Sequence, residues 1–92
     1  MKLSEDQIIQ KLNELNLWKY EENSLRKKFV LKNFADAIAF IVKVAFEAEK
    51  LDHHPDLRLY GWNKVDIVLF THSENGVTDK DFELAKKIDS IY

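Results

Sequence analysis

Apolar and polar positions alternate along this chain in patterns that mark its elements one by one. "SEDQIIQKLNEL" opens with Ser4 and, three residues on, Gln7, a capping box in which each side chain serves the other's backbone amide. Ile8, Leu12 and Leu15 follow at helical spacing and Ile9 widens the stripe, so a first helix is predicted. "LWKYEENSLRKKFVLKN" holds two short segments around the polar cluster "EENS" and reads as a hairpin. In its second arm Leu25, Phe29 and Leu31 interleave with charged residues, although the alternation is imperfect.

A second helix starts at Asn33, a good N-cap, and runs to about Lys50. Its apolar residues, from Phe34 through Ile38, Val42 and Phe46 to Ala48, cover more than one face, where a surface helix needs only one stripe. One side is expected to meet the sheet and the other a second subunit; coverage by the other two helices is the alternative. "DLRLYGW" is β-like, with Gly61 as the turn, and "KVDIVLFTH" is the clearest strand. Val65, Ile67 and Leu69 point one way, and Asp66, Val68, Phe70 and His72 the other. Thr78 then caps a last helix with Asp81 at its third position, and Phe82, Ala85, Ile88 and Ile91 share a face. The order α-β-β-α-β-β-α predicts an α+β fold, a four-stranded antiparallel sheet with three helices packed on one face.

Length and composition narrow the function classes. Ninety-two residues suit one domain, 1–92, with one core. A third of them are charged and the formal net charge is -2, which provides no field to draw nucleic acid or anionic lipid. No cysteine is present, which removes disulfides, thiolate metal sites and thiol nucleophiles. The polar start "MKLSEDQIIQKL" is unlike a secretory signal, and the most apolar run is interrupted by Asp36 and Lys43 and too short for a bilayer. A soluble, cytoplasmic protein without membrane or nucleic-acid partners is expected.

All three histidines, His53, His54 and His72, fall in "EKLDHHPDLRLYGWNKVDIVLFTH". Pro55 holds His54 in extended geometry, where neighbours point to opposite sides. An antiparallel return through Gly61 brings His72 back beside the end of the second helix. Three readings stand side by side. Zinc wants ligands at a regular short spacing, which a His-His dipeptide does not supply. As plain structure, His53 suits the negative end of a helix dipole and His72 a strand end. As chemistry, imidazole titrates nearest neutrality, and the nearby carboxylates Glu49 and Asp52 are placed to orient the rings.

"EKLDHHPDL", "YGWNKVDIVLFTH" and "NGVTDKDFELAKKID", in that order and spacing, resemble the pterin-4a-carbinolamine dehydratases. "LNLWKY", "LRKKFVLKNF" and the helix leading into the histidines fit as well, so the resemblance spans nearly the whole chain. It implies a dehydratase of 4a-hydroxytetrahydropterin, acting in tetrahydrobiopterin or other reduced-pterin recycling, with no metal or organic cofactor, and assembled as a dimer or tetramer. It also implies that His53, His54 and His72 line the pterin site. On this reading His53 and His72 exchange protons and His54 positions the ring. Lesser substrate-binding claims attach to four further residues, each with a plainer structural explanation beside it. Glu49 is also a last-turn glutamate and Asp52 an exposed residue after the helix; Asp81 is also a helix cap, and Trp62 either stacks on the pterin or fills core. Against many relatives "DLRLYGWNKV" is about one residue longer, Lys80 replaces an arginine and Asn75 a glycine. The resemblance carries a rival function too, a binding or assembly role such as a dimerisation cofactor, for which the apolar second helix is suited. A zinc hydrolase is the third possibility.

Overall fold

The structure is a computed structural model and describes residues 1–92. Helix α1, Glu5–Leu12, forms on the expected box: Gln7 N donates to Ser4 Oγ at 3.2 Å and Ser4 N to Gln7 Oε1 at 2.8 Å. Its end tightens into i→i+3 bonds from Asn13, Glu14 and Leu15, so Leu12 and Leu15 still pack on the core although the helix has stopped. Strands β1, Lys19–Glu21, and β2, Ser24–Val30, follow. Glu22 and Asn23, both at positive φ, form the two-residue turn that matches the twist of paired strands.

Helix α2, Phe34–Leu51, starts where Asn33 Oδ1 accepts from Asp36 N at 2.7 Å. Strands β3, Asp56–Tyr60, and β4, Lys64–Leu69, are joined through Gly61 and Trp62 at φ 55° and 62°. Helix α3, Asp79–Ile91, closes the chain. The strands lie in the order β1-β2-β4-β3, all antiparallel, with the three helices on one face. That is the α+β arrangement predicted from the pattern of elements.

The core explains the layering. The central strands bury Leu25 and Phe29 of β2 and Val65, Ile67 and Leu69 of β4 against Ala37, Phe40, Val44 and Ala48 of α2. Ile8 from α1 and Phe82, Leu84, Ala85 and Ile88 from α3 complete the cluster, while edge-strand residues Tyr20, Leu57 and Leu59 are only half-buried. Phe29 is the hub, with the rings of Phe40 and Tyr92 at 5.0 and 4.8 Å. On α2 a second stripe, Phe34, Ile38, Val42 and Phe46, remains 42–65% exposed, so helices α1 and α3 do not cover it. No helix is long and apolar enough to cross a membrane.

Two details depart from the expected pattern. The strand read through His72 stops at Leu69, and His72 opens a one-turn 3-10 helix, His72–Glu74. The physical reason lies in the partners: β2 begins at Ser24, one residue beyond the Leu25↔Leu69 pair, and Pro55 opposite has no N–H to donate. The imperfect alternation of β2 has an electrostatic cause. Lys27 points inward, its side chain only 6% exposed, and donates to Asn16 O at 2.6 Å and Asp89 Oδ1 at 2.8 Å. Trp18 Nε1 donates to the same carboxylate at 3.1 Å.

Candidate active site

The histidines gather at one end of the sheet because α2, β3 and β4 all terminate there. Helix α2 stops at Asp52, which takes a left-handed conformation (φ 50°) and donates from its N–H to the carbonyls of Ala48 and Glu49. His53 N donates to Ala48 O at 3.0 Å, which turns the chain sharply inward. Pro55 then starts the extended run into β3. The β3–β4 register pairs Asp56 with Val68, so the residues before Asp56 lie beside those after Leu69. His53 and Thr71 therefore face each other across the hairpin and reach the same carboxylate.

That carboxylate is Asp81, completely buried in the first turn of α3. His53 Nε2 meets its Oδ1 at 2.5 Å. Its Oδ2 accepts from Thr71 Oγ1 at 2.8 Å and from Thr78 N at 2.9 Å, and Thr71 Oγ1 also contacts Thr78 Oγ1 at 2.8 Å. An ionised carboxylate surrounded by donors at a helix N-terminus is well accommodated despite its burial. His53 is itself 92% enclosed, being 8% exposed, yet its Nδ1 has no hydrogen-bond partner. The only sealed side-chain polar atom without a partner is Asn63 Oδ1, so His53 Nδ1 retains an opening to solvent.

His54 follows His53 directly in the chain and His72 follows Thr71, so each is the neighbour of a residue in this cluster. His54 lies exposed, Nε2 3.5 Å from Glu49 Oε1, where it pairs with that carboxylate when protonated. His72 is exposed and stands edge-on to Phe70, ring centroids 5.0 Å apart. The arrangement thus combines one anchored imidazole, two solvent-facing ones and an aromatic wall. It is suited to proton transfer. No three His, Cys, Asp or Glu side chains are grouped to share a metal ion.

Two of the expected contributors are placed differently. Asp52 points to solvent and accepts nothing from a histidine, because it is used as the left-handed cap; the carboxylate that holds an imidazole is Asp81. Trp62 sits in the β3–β4 turn at the opposite end of the hairpin. Five paired positions on each strand, at about 3.4 Å per residue, put it well over 10 Å from the histidines of its own chain. Thr71 was missed, although the signal was there: it continues the inward parity of Val65, Ile67 and Leu69 as a polar residue aimed at the core.

Residues 1–91 match the family described as pterin 4 alpha carbinolamine dehydratase. A protein of Sulfolobus acidocaldarius, provisionally named a pterin-4-alpha-carbinolamine dehydratase, is 52% identical over 91 residues, 99% of each chain. One of Roseiflexus, with the same provisional name, is 47% identical over 90 residues, covering 98% of this chain and 96% of its own. Among solved structures, a transcriptional coactivator/pterin dehydratase from Brucella melitensis superposes with a TM-score of 0.93 at 38% identity, over 99% of this chain and 98% of its own.

Proposed function

Since the chain belongs to the pterin-4-alpha-carbinolamine dehydratase family, we propose that it removes water from a 4a-hydroxytetrahydropterin to give the quinonoid dihydropterin. The observation that supports this reading is His53 held on a buried carboxylate at the end of the sheet where His54 and His72 also lie in the chain, both exposed. The elimination takes a proton from N5 and delivers one to the C4a hydroxyl. The N5–H electrons become the new C4a=N5 bond while the C4a–O pair leaves with water. His53 and His72 supply the two proton transfers, and His54 with Glu49 positions the pterin at the rim. Neither a metal nor an organic cofactor enters these steps, and a cytoplasmic setting suits the cysteine-free chain.

Stopped-flow mixing with freshly generated 4a-hydroxytetrahydropterin tests it. His53→Ala and His72→Ala should each lower kcat by roughly 10²–10⁴, the usual share of general acid–base catalysis. Folded wild type that fails to speed dehydration, or a double variant as fast as wild type, would refute the dehydratase reading.

A second role rests on the exposed stripe Phe34, Ile38, Val42 and Phe46 of α2. Contiguous exposed apolar surface of this kind marks an interaction site, and the Brucella relative carries coactivator in its name. We assign the stripe to self-association into a dimer or tetramer. Phe46→Asp should then lower the sedimenting mass while each chain keeps its fold. A wild-type chain that sediments as a monomer at high concentration would remove this role.

A further inference from the structure

Thr71 and Thr78 have no part in the proposed chemistry, yet both are buried; the Thr71 hydroxyl bonds to Asp81 and the Thr78 hydroxyl to Thr71. Hydrogen counting fixes their direction. The single hydrogen of the Thr71 hydroxyl goes to Asp81 Oδ2, so in the 2.8 Å contact between hydroxyls Thr78 must be the donor. Thr78 N–H points at the same oxygen. The Thr78 hydroxyl donates to Thr71, and Thr71 and the Thr78 N–H donate to the carboxylate, so the hydroxyl chain runs toward Asp81 and each of its bonds polarises the next. Oδ2 is thereby occupied, and Oδ1 is left as acceptor for one group, His53 Nε2.

We infer that Thr71 and Thr78, acting through Asp81, are positioning residues that lock His53 in its Nε2–H tautomer. Neutral His53 then meets substrate at Nδ1, as a proton acceptor. This rests on the dehydratase reading for its use in catalysis, but the tautomer itself is a property of the free protein. The arrangement follows the logic by which a buried aspartate orients a catalytic imidazole.

The test is nitrogen-15 NMR of the His53 ring in mildly alkaline buffer, read beside kcat. Wild type should show Nε2 protonated and Nδ1 bare. In Asp81→Asn the two Oδ2 donors still require an oxygen, so the new amide NH₂ turns to His53 and forces the opposite tautomer. A kcat loss of about 10²–10⁴ should accompany it. Thr71→Val removes a donor that fixes the rotation of the carboxylate; Asp81 then turns partly away from His53, which should give a mixture of tautomers and a roughly tenfold loss, and Thr71→Ser should recover both readouts. A merely structural hydroxyl would leave the tautomer unmoved. Nδ1 found protonated in wild type overturns the inference, as does Thr71→Val matching wild type in both readouts. If Thr71→Val does not fold, the Asp81→Asn spectrum decides alone: an unchanged tautomer there is equally fatal. A wild type with Nε2–H that does not dehydrate the pterin upholds the tautomer lock and defeats the dehydratase reading instead.

Discussion

At the scale of single residues, Trp62 separates two explanations of one position. It holds a left-handed backbone (φ 62°), which costs a residue with a side chain about 1–2 kcal/mol, and the residue is 61% exposed. Trp62→Gly removes that strain but frees the unfolded chain by a comparable amount, so stability should change by less than about 1 kcal/mol. Chemical denaturation checks this, and kcat should remain within roughly twofold if a 10 Å gap to the histidines is decisive. A collapse of kcat would mean that Trp62 reaches a site after all, one completed by another chain. Residue identity alone could not settle this. The positions of His53 and His54 were legible from the helix end and Pro55, whereas the inward aim of Asp81 and Thr71 depends on packing between segments far apart in sequence.

Elements were the most legible level, because their ends are written locally. The Ser4–Gln7 box, the Asn33 cap and the "EENS" turn all appear where their side-chain chemistry placed them. Asn33 takes one of the orphan amides of α2, so Asn33→Ala should cost about 1 kcal/mol, read as a lower denaturation midpoint. Where an element's end depends on a neighbour, the pattern misleads: β4 ends at Leu69 because β2 begins at Ser24, and no feature of "KVDIVLFTH" reports that. A second inter-element tie has a pH signature. Lys86 of α3 donates to Glu14, just after α1, at 2.8 Å, and this hydrogen bond together with the lysine charge holds the Glu14 carboxyl below its ordinary pKa. A lowered carboxylate contributes above its unfolded pKa and loses that contribution as pH falls through the folded value. Glu14→Gln should therefore show a shallower loss of stability on acidification than wild type, and a small one, since the pair is exposed. Identical acid limbs in the two proteins would show that the pair does not stabilise the fold.

For the whole molecule, the inward lysine of β2 is the feature that local pattern could least reveal. Lys27 and Asp89 lie 62 positions apart, so a lysine between Leu25 and Phe29 reads as an interruption until α3 is laid over the sheet. Once there, it joins the segment before β1, strand β2 and helix α3 in one cluster. Asn16 O and Asp89 accept from the ammonium, Trp18 Nε1 donates to the carboxylate, and the ammonium lies 4.8 Å from the Phe29 ring centroid. Two effects oppose each other in such a pair. Mutual attraction in a poorly hydrated site is strong, but the cost of desolvating both ions is of similar size, so the pair adds little net stability while each member is expensive to leave alone. Asp89→Ala leaves the ammonium with a single carbonyl and the indole N–H with no partner. It should cost roughly 2–3 kcal/mol, below the range for fully buried pairs because the Asp89 side chain is 22% exposed. Lys27→Met together with Asp89→Leu removes both charges and fills the space with carbon, so it should recover most of that loss. Equilibrium denaturation of the wild type and the two variants decides the matter. If the double variant is as unstable as Asp89→Ala, the pair contributes attraction beyond its desolvation cost and holds α3 on the sheet in its own right.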